Sequence, residues 1–198
     1  MIELILVRHG HPAVATSGPT GDPPLSERGH GHARCAAAAL ADEPICAIWS
    51  SGLRRADATA QPLAQLLRLE VRSLRGLGEI DRDGGDYANI EMIREKGREE
   101  WRRFRSEPLA YFGVDPERFR AETLDAFGQV IDASQHGKVA IFTHGFPINI
   151  LLSHALGLAQ DARFVPSYGS ITRLRGRRLS ALTVVSVNES GHVPVELR

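Results

Sequence analysis

The segment "LVRHGHP", residues 6–12, places an arginine and two histidines directly after an apolar run. Imidazole nitrogens serve as nucleophiles, general bases and metal ligands, so the role of His9 must be decided from its neighbours. His9 is either a nucleophile beside Arg8, a metal ligand paired with His11, or a structural histidine in a turn. The remaining chemistry-bearing residues separate these three hypotheses.

The metal hypothesis gains a second histidine pair, His30 and His32 in "RGHGHAR". A His-x-His pair on a strand directs both rings to the same side, which is a known ligand geometry. However, the permanent positive charge of Arg8 next to His9 would repel a cation. We therefore predict that no metal is bound, and we interpret His30 and His32 as exposed residues of an early helical turn.

The nucleophile hypothesis uses Arg8 directly, because a guanidinium can hold a phosphoryl group by two parallel hydrogen bonds while a neutral imidazole attacks it. Such a site needs further cations and a proton donor. Candidates follow later strands of the chain: Arg54 and Arg55, Glu79, and His144 with Gly145.

Apolar and turn-forming residues alternate along the chain in a pattern typical of an α/β protein. The predicted strands are residues 2–7, Ile45–Ser50, part of "EVRSL" and "KVAIFTH", with a final pair reversing around Gly176. The predicted helices run from the Ser26 cap to about Leu40 and over Arg54–Leu67. This order predicts a three-layer α/β/α sandwich with a mostly parallel central sheet.

Ligands collect at the carboxyl ends of strands in such sheets, so His9, Arg55 and His144 are expected to converge there. The highly charged stretch at about residues 80–122 interrupts the strand–helix rhythm and predicts a small helical cap insertion. One helical face is predicted to carry Ile90, Ile93, Trp101 and Phe104. The next helix begins at Asp115-Pro116 and carries Phe119, Phe127 and Ile131.

Composition excludes several classes of protein. Lysine plus arginine and aspartate plus glutamate each number 24 in 198 residues, so no net charge favours nucleic acid or an anionic membrane. No apolar run approaches the ~20 residues that span a bilayer, and no basic segment precedes a secretory apolar stretch. We expect a cytoplasmic protein in which Cys35 and Cys46 are buried thiols without a disulfide.

Six segments, in order, resemble the motifs of the histidine phosphatase family, which includes cofactor-dependent phosphoglycerate mutase. "LVRHG" resembles the family signature, "PLSERG" its "pLTerG" and "SSGLRRADATA" its "SSPLxRAxxTA". "LGEI" resembles the acid-bearing "LxEi", "FTHG" the second "sHG" and "SVNESGHV" the closing "lNxxxHl". The resemblance implies a single histidine phosphatase domain over residues 1–198.

The resemblance also implies a role for each matching residue. His9 is the phosphorylated nucleophile, Arg8 and Arg55 hold phosphoryl oxygens, and Glu79 is the general acid. A protonated His144 completes the pocket, with Gly10 and Gly145 as further substrate-binding positions. The motif spacing selects Arg55 over Arg54, which is expected to be solvated. Asp81, Asp83 and Asp86 are alternative acids.

The implied activity is phosphomonoester hydrolysis through phospho-His9, without metal or cofactor, on a small-molecule substrate. The alternatives are a phosphoglycerate mutase and a non-catalytic module that binds a phosphorylated ligand. The mutases carry a Trp-Asn and Arg-rich stretch after the first motif, whereas this chain has "HPAVATSGPTGDPP". Neither nucleic acid nor membrane is expected as a partner, and assembly as a homodimer is left open.

The chain departs from the family pattern at two places. His11 and Pro12 replace an acidic or amide residue and a hydroxyl residue, and Thr16 or Ser17 is a candidate replacement for the missing hydroxyl. Tyr168 or Gly169 stands where the family has an asparagine. The remaining basic residues are interpreted as solvated surface: Arg94, Lys96, Arg98, Arg102, Arg103 and Arg105 on a helix, and Arg173, Arg175, Arg177 and Arg178 at a hairpin tip. His136, His154 and His192 are interpreted as structural.

Overall fold

Strands and helices alternate over most of the chain. The computed structural model describes residues 1–13, 21–83, 90–134, 136–159 and 163–198, with the backbone alone at residues 90–92. The strands are β1 (Ile2–Arg8), β2 (Ile45–Ser50), β3 (Val71–Ser73), β4 (Gly137–Thr143), β5 (Ile171–Gly176) and β6 (Leu182–Glu189). The helices are α1 (Glu27–Leu40), α2 (Arg54–Leu67), α3 (Ile90–Glu95), α4 (Arg98–Ser106), α5 (Pro108–Tyr111), α6 (Pro116–Ser134) and α7 (Gly145–Leu156).

The six strands form one sheet in the order β3-β2-β4-β1-β5-β6. The first four in this order run parallel, and β5 and β6 are antiparallel additions at one edge. Arg8 at the end of β1 lies opposite Thr143 at the end of β4. This register brings the residues that follow the two strands, His9 and His144, to the same edge of the sheet. The predicted α/β fold with a mostly parallel sheet is confirmed.

Both faces of the sheet are covered by helices, which explains why β1 is a nearly continuous apolar run. Ile5 and Val7 pack with α1 and α2 on one face. Leu4 and Leu6 pack with α6 and α7 on the other face. The β1 backbone is therefore fixed from both sides, and the loop that carries His9 starts from a rigid position.

Helix α1 begins as predicted, because the Ser26 side chain accepts a hydrogen bond from the Gly29 backbone amide. Gly29 also lies against the loop after β1. A Cβ atom at this position would come within 2.1 Å of the His11 carbonyl oxygen. Only glycine allows this approach, so the "ERG" part of the motif sets how closely α1 packs on the His9 loop.

The cap insertion differs from the prediction. The prediction of a single helical face carrying Ile90, Ile93, Trp101 and Phe104 is wrong. Gly97 adopts a φ of 104° and separates α3 from α4. The following helix is as predicted: Asp115 accepts hydrogen bonds from two amides in the first turn of α6. A small apolar cluster then joins the cap region to α7; it contains Leu109, Phe119 and Ile150.

The structure contradicts three expectations about which side chains are buried and which are exposed. Cys46 is exposed and Cys35 is half-buried, although both are free thiols. His32 is buried instead of exposed, because its ring lies between the His9 loop and the C-terminal segment. Arg173 is not a solvated tip residue, since it forms ion pairs with Glu3, Glu43 and Glu189. Within the described residues no helix is both long and apolar enough to cross a membrane.

Candidate active site

His9 and His144 lie side by side at the carboxyl edge of the sheet. Their ring centroids are 4.9 Å apart, and the side chains are 2% and 0% exposed respectively. The His9 amide donates to the Thr143 carbonyl oxygen over 2.9 Å, which extends the β1–β4 pairing by one residue. The predicted convergence of these two histidines is thus produced by the parallel register of their strands.

The hydrogen bonding of His9 assigns its tautomer. Nδ1 lies 2.7 Å from the Gly10 carbonyl oxygen, and because a carbonyl can only accept, Nδ1 must carry the proton. Burial lowers the pKa of His9 well below its usual value, and the charges of Arg55 and Arg8 lower it further. The ring is therefore neutral near pH 7, with its lone pair on Nε2. This is the form that a nucleophilic imidazole needs.

His144 is held in the opposite tautomer. Its Nε2 lies 2.8 Å from Ser51 Oγ, and among the described residues this nitrogen is the only acceptor within reach of the Ser51 hydroxyl proton, so the hydroxyl is assigned as the donor. The proton of the neutral ring is then on Nδ1, which is buried and has no hydrogen-bond partner among the described residues. Burial, Arg55 and His9 lower the pKa of His144 well below its usual value. The lowered pKa favours a neutral His144 over the expected protonated ring, and the neutral ring still presents an N–H donor.

Arg8 is anchored at one end of its guanidinium. Its Nη1 donates to the Pro166 carbonyl oxygen over 2.5 Å, and the group lies 4.1 Å from the centre of the Tyr168 ring. Its Nε is buried and has no hydrogen-bond partner in the described part of the chain. Arg8 therefore contributes a second buried donor near His9 and His144, whose pKa values both fall partly because of its charge.

Arg55 is completely buried at the start of α2 and is paired with two carboxylates. Asp81 accepts from its Nη2 at 2.8 and 2.9 Å, and Asp22 accepts from its Nη1 at 3.2 Å. Arg54, by contrast, has an exposed side chain, as predicted. The choice of Arg55 over Arg54 as the pocket residue agrees with this placement, but sequence reasoning missed the role of Asp22 as its partner.

Thr59 connects the His9 loop to α2 and was not singled out by sequence reasoning. Its hydroxyl accepts the Gly10 amide at 2.9 Å and donates to the Arg55 carbonyl oxygen at 2.6 Å. The available signal was its place in "SSGLRRADATA", one turn after Arg55 on the same helical face.

Glu79 occupies the position expected of a proton donor. Its carboxyl oxygens accept the backbone amides of Ile80 and Phe146, at 3.1 and 3.2 Å. Burial, with a further contribution from the nearby charge of Asp81, raises the pKa of Glu79 to about 7. A carboxyl group that titrates near neutral pH can both give and take a proton during turnover.

The alternative acids are placed differently. Asp81 is already engaged with Arg55, whose Nη2 lies within hydrogen-bond distance of both of its carboxylate oxygens. Asp83 is half-exposed and ion-paired with Arg75. Asp86 lies outside the described residues. The structure thus favours Glu79 as the proton donor.

This arrangement of histidine, arginine and carboxyl groups can be compared with known proteins. The model of the histidine phosphatase superfamily, branch 1, matches residues 4–189. The chain belongs to this superfamily. The resemblance predicted from the sequence motifs is confirmed.

Individual relatives of this histidine phosphatase include phosphoserine phosphatase 1 of Hydrogenobacter thermophilus, which is 38% identical over 114 residues. The match covers 54% of this chain and 53% of the relative, so it spans about half the length of that curated protein. Among solved structures, YhfR of Bacillus stearothermophilus superposes with a TM-score of 0.75 at 21% identity, covering 98% of this chain and all of that one.

A mycobacterial glucosyl-3-phosphoglycerate phosphatase also gives a TM-score of 0.75, at 23% identity, covering 95% of this chain and 99% of that one. Both solved structures are less than 25% identical in sequence to this chain, so these two comparisons support the fold alone.

The two departures from the family pattern meet in space. The Tyr168 ring lies 5.5 Å from the ring of His9 and 5.3 Å from that of His11, centre to centre, and it also contacts Arg8. The His11 amide donates to His32 Nδ1 at 3.2 Å, and His11 Nδ1 lies 2.9 Å from Ser26 Oγ. His11 therefore contacts Tyr168 on one side and residues at the start of α1 on the other. Thr16 and Ser17, the candidate replacements for the missing hydroxyl, lie outside the described residues.

A cavity of about 290 Å³ opens beside this site. Arg8 and Glu79 line it, together with residues of the cap helices, the start of α7 and the segment 163–166. Arg94 and Arg105, predicted to belong to a solvated helix surface, both line this cavity. The cap therefore covers the site on the side where the proton donor lies.

Proposed function

We propose that the protein is a phosphatase that hydrolyses phosphomonoesters through a phosphohistidine formed on His9, with Glu79 as general acid and base. One observation carries this proposal: the neutral His9 ring lies among two buried donors without partners in the described chain, Arg8 Nε and His144 Nδ1. Buried unpaired donors are costly, and a phosphoryl group would satisfy both. Membership of the superfamily supports the same reaction class.

In the first step, His9 Nε2 attacks phosphorus and the bond to the alcohol oxygen breaks. Glu79 gives its proton to that oxygen, so a neutral alcohol leaves and a carboxylate remains. Arg8, Arg55 and the Nδ1–H of His144 stabilise the charge on the phosphoryl oxygens with little reorganisation. The Nδ1–H bond to the Gly10 carbonyl oxygen stabilises the positive charge that develops on the imidazole.

In the second step, the Glu79 carboxylate takes a proton from water as that water attacks phosphorus. The phosphorus–nitrogen bond breaks, inorganic phosphate leaves and His9 returns to its neutral form. Glu79 regains its proton and is ready for another cycle. A pKa of about 7 suits this exchange, because neither form of the carboxyl group is strongly disfavoured near neutral pH.

Trapping the intermediate tests the proposal. Rapid mixing with 4-nitrophenyl phosphate in excess chelator, an alkaline denaturing quench and peptide mapping at basic pH should place the phosphoryl group on His9. Acid lability and base stability of the label would identify a phosphohistidine. Steady turnover with no label on His9, or activity that disappears with the chelator, would exclude the proposed mechanism.

Product analysis separates the two alternatives. A mutase would convert 3-phosphoglycerate into 2-phosphoglycerate faster than it releases inorganic phosphate, because it must keep water from the phosphoenzyme. A binding module would bind a phosphorylated ligand without forming any phosphohistidine. We expect release of inorganic phosphate to account for all substrate consumed.

The pH dependence of kcat/KM should reveal Glu79. Above pH 7 the carboxyl group loses the proton that it must donate, so kcat/KM for an alkyl phosphate should fall about tenfold per pH unit. His9 stays neutral over this range because its pKa is lowered. In Glu79→Gln this basic limb should be absent. A limb that persists unchanged in that variant would assign it to another group, such as the substrate phosphate.

Replacement of Tyr168 should weaken the site through Arg8. Tyr168→Leu removes the cation–π contact, worth about 0.5–2 kcal/mol, and is expected to lower kcat/KM roughly 2- to 30-fold. Tyr168→Phe keeps the ring and should lose less. Steady-state kinetics on one substrate measures both variants, with thermal unfolding as a check on folding. Equal losses in the two variants would show that the hydroxyl, and not the ring, is what matters.

A further inference from the structure

The cavity beside the catalytic pair is where the alcohol part of a substrate must lie. Arg8, a phosphoryl-binding residue, and Glu79, the proton donor, line the same cavity. Because Glu79 protonates the oxygen that links phosphorus to the alcohol, the alcohol extends from that oxygen into the space beyond Glu79. The side chains of the cavity wall beyond Glu79 therefore indicate the chemical class of the alcohol.

Aromatic side chains dominate one part of this wall. The rings of Trp101 and Phe104 have centroids 5.5 Å apart, Phe104 and Phe112 are 6.0 Å apart, and Phe112 and Phe146 are 6.1 Å apart. All four line the cavity, and Phe146 directly follows the His144-Gly145 pair. This continuous aromatic surface reaches from the cap to the catalytic residues. It would bury an apolar or ring-containing group and gain little from a small polar alcohol.

Three arginines form the outer part of the same cavity. Arg94, Arg105 and Arg163 line it, and all three are exposed. Among the lining residues that the structure describes, the only carboxyl group is Glu79, whose side chain is half-buried. Among the described lining residues, positive charge is thus concentrated on the exposed part of the cavity wall, and this field favours an anion.

Asn149 fixes the wall opposite the cap helices. Its buried side chain donates to the carbonyl oxygen of Phe164 at 3.0 Å and accepts the Phe164 amide at 2.8 Å. The segment that carries Arg163 and Phe164 is thereby attached to α7, the helix that begins at Gly145. Because α7 directly follows His144, this attachment fixes the position of the wall relative to the catalytic residues.

From these observations, and resting on the proposed phosphatase activity, we infer that the substrate is a phosphomonoester whose alcohol carries both a ring-sized apolar group and a second anionic group. The second group is a carboxylate or a phosphate, since guanidinium groups bind both. Phosphoserine, the substrate named for one relative, fits this cavity poorly. Its serine has a carboxylate for the arginines but no apolar group for the aromatic surface, and its ammonium is repelled by the same arginines.

A matched set of primary-alcohol phosphates tests the inference, because their leaving oxygens are chemically alike. The set contains 4-carboxybenzyl phosphate, its neutral isostere 4-carbamoylbenzyl phosphate, 4-(phosphonomethyl)benzyl phosphate, 4-(aminomethyl)benzyl phosphate and 2-phosphoglycolate. We expect kcat/KM for one or both anionic benzyl compounds to exceed that of the amide about tenfold, with the ammonium compound lowest. 2-Phosphoglycolate should be poorer than 4-carboxybenzyl phosphate because it lacks the ring.

The two anionic benzyl compounds distinguish carboxylate from phosphate-like recognition, and a preference for either supports the inference. Equal kcat/KM for the anionic, neutral and cationic benzyl compounds would overturn it. So would 2-phosphoglycolate or phosphoserine being hydrolysed as well as 4-carboxybenzyl phosphate.

Variants of single arginines test whether the cavity wall causes the preference for an anionic substrate. Arg105→Gln should lower the ratio of kcat/KM for 4-carboxybenzyl phosphate over its amide several-fold, and Arg163→Gln should do the same. Arg102→Gln is the matched control, because Arg102 is an exposed arginine of the same helix that does not line the cavity. A ratio that is unchanged in both cavity variants, or lowered equally by Arg102→Gln, would contradict the inference.

Failure of the proposed function gives a different result. If the protein is not a phosphatase, none of the benzyl phosphates is hydrolysed and no phosphohistidine is trapped with 4-nitrophenyl phosphate. If only the substrate inference is wrong, the phosphohistidine forms and all benzyl compounds are hydrolysed at similar rates. Both results overturn the substrate inference, but only the first also excludes the proposed phosphatase activity.

Discussion

Replacement of His9 by alanine is expected to lower kcat for phosphomonoester hydrolysis on the order of 10⁴-fold or more. The variant has no imidazole to form the phosphoenzyme, and no other described nucleophile shares its position between Arg8 and His144. Initial rates of phosphate release with the wild type and the variant measure the effect. The same alkaline-quench experiment should show no label in the variant.

A matched histidine replacement controls for His9→Ala. His30 is exposed on α1, only one turn from the site, and His30→Ala should leave the rate near that of the wild type. Because His9 is buried, His9→Asn should also be measured, since it keeps a polar side chain at that position. Retention of more than a few per cent of the rate by both folded His9 variants would contradict a covalent mechanism.

Glu79→Gln is expected to slow hydrolysis of an alkyl phosphate about 10²- to 10⁴-fold, and that of 4-nitrophenyl phosphate much less. The alkoxide leaving from an alkyl ester needs the proton that Glu79 holds, whereas nitrophenolate leaves without one. The buried carboxyl group with a pKa of about 7 is protonated in a large fraction of molecules at neutral pH. The measurement is the ratio of kcat/KM for the two substrates in the wild type and the variant.

Asp81→Asn is the matched control for Glu79→Gln, because both residues are in the same loop and both changes remove a negative charge. Asp81 accepts two hydrogen bonds from Arg55, so its replacement should affect both substrates alike by loosening that arginine. It should also lower the pKa of Glu79, since the charge of Asp81 raises it. If Asp81→Asn shows the leaving-group dependence and Glu79→Gln does not, Asp81 is the general acid.

Much of the framework could be predicted from the sequence because it depends on local patterns. Apolar runs marked β1 and β4, Ser26 marked the start of α1, and Asp115-Pro116 marked the start of α6. The order of these elements implied a parallel sheet, and a parallel sheet places the ends of its strands at one edge. The neighbourhood of His9 and His144 followed from that argument without knowledge of any side-chain contact.

Features that depend on distant pairings could not be predicted in this way. Nothing in the local sequence around Arg55 indicates that Asp22 and Asp81 contact it, because Arg55 lies in α2 and the two aspartates lie in separate loops far from it in the chain. His32 reads as an exposed helical residue until the C-terminal segment covers it. The neutral state of His144 likewise depends on complete burial beside other cations, which is a property of the assembled core.

The sequence by itself thus determined the strand–helix order, the family and the identity of the chemistry-bearing residues, since motif spacing and strand ends are local properties. Only the tertiary structure bears on their protonation states, on the preference for Glu79 over Asp81 and on the use of cap residues. Arg94 and Arg105 lie on helices that look fully solvated in sequence, and packing of the cap over Glu79 directs them to the cavity. Burial and charge contacts set these properties, and both arise between residues that are far apart in the chain.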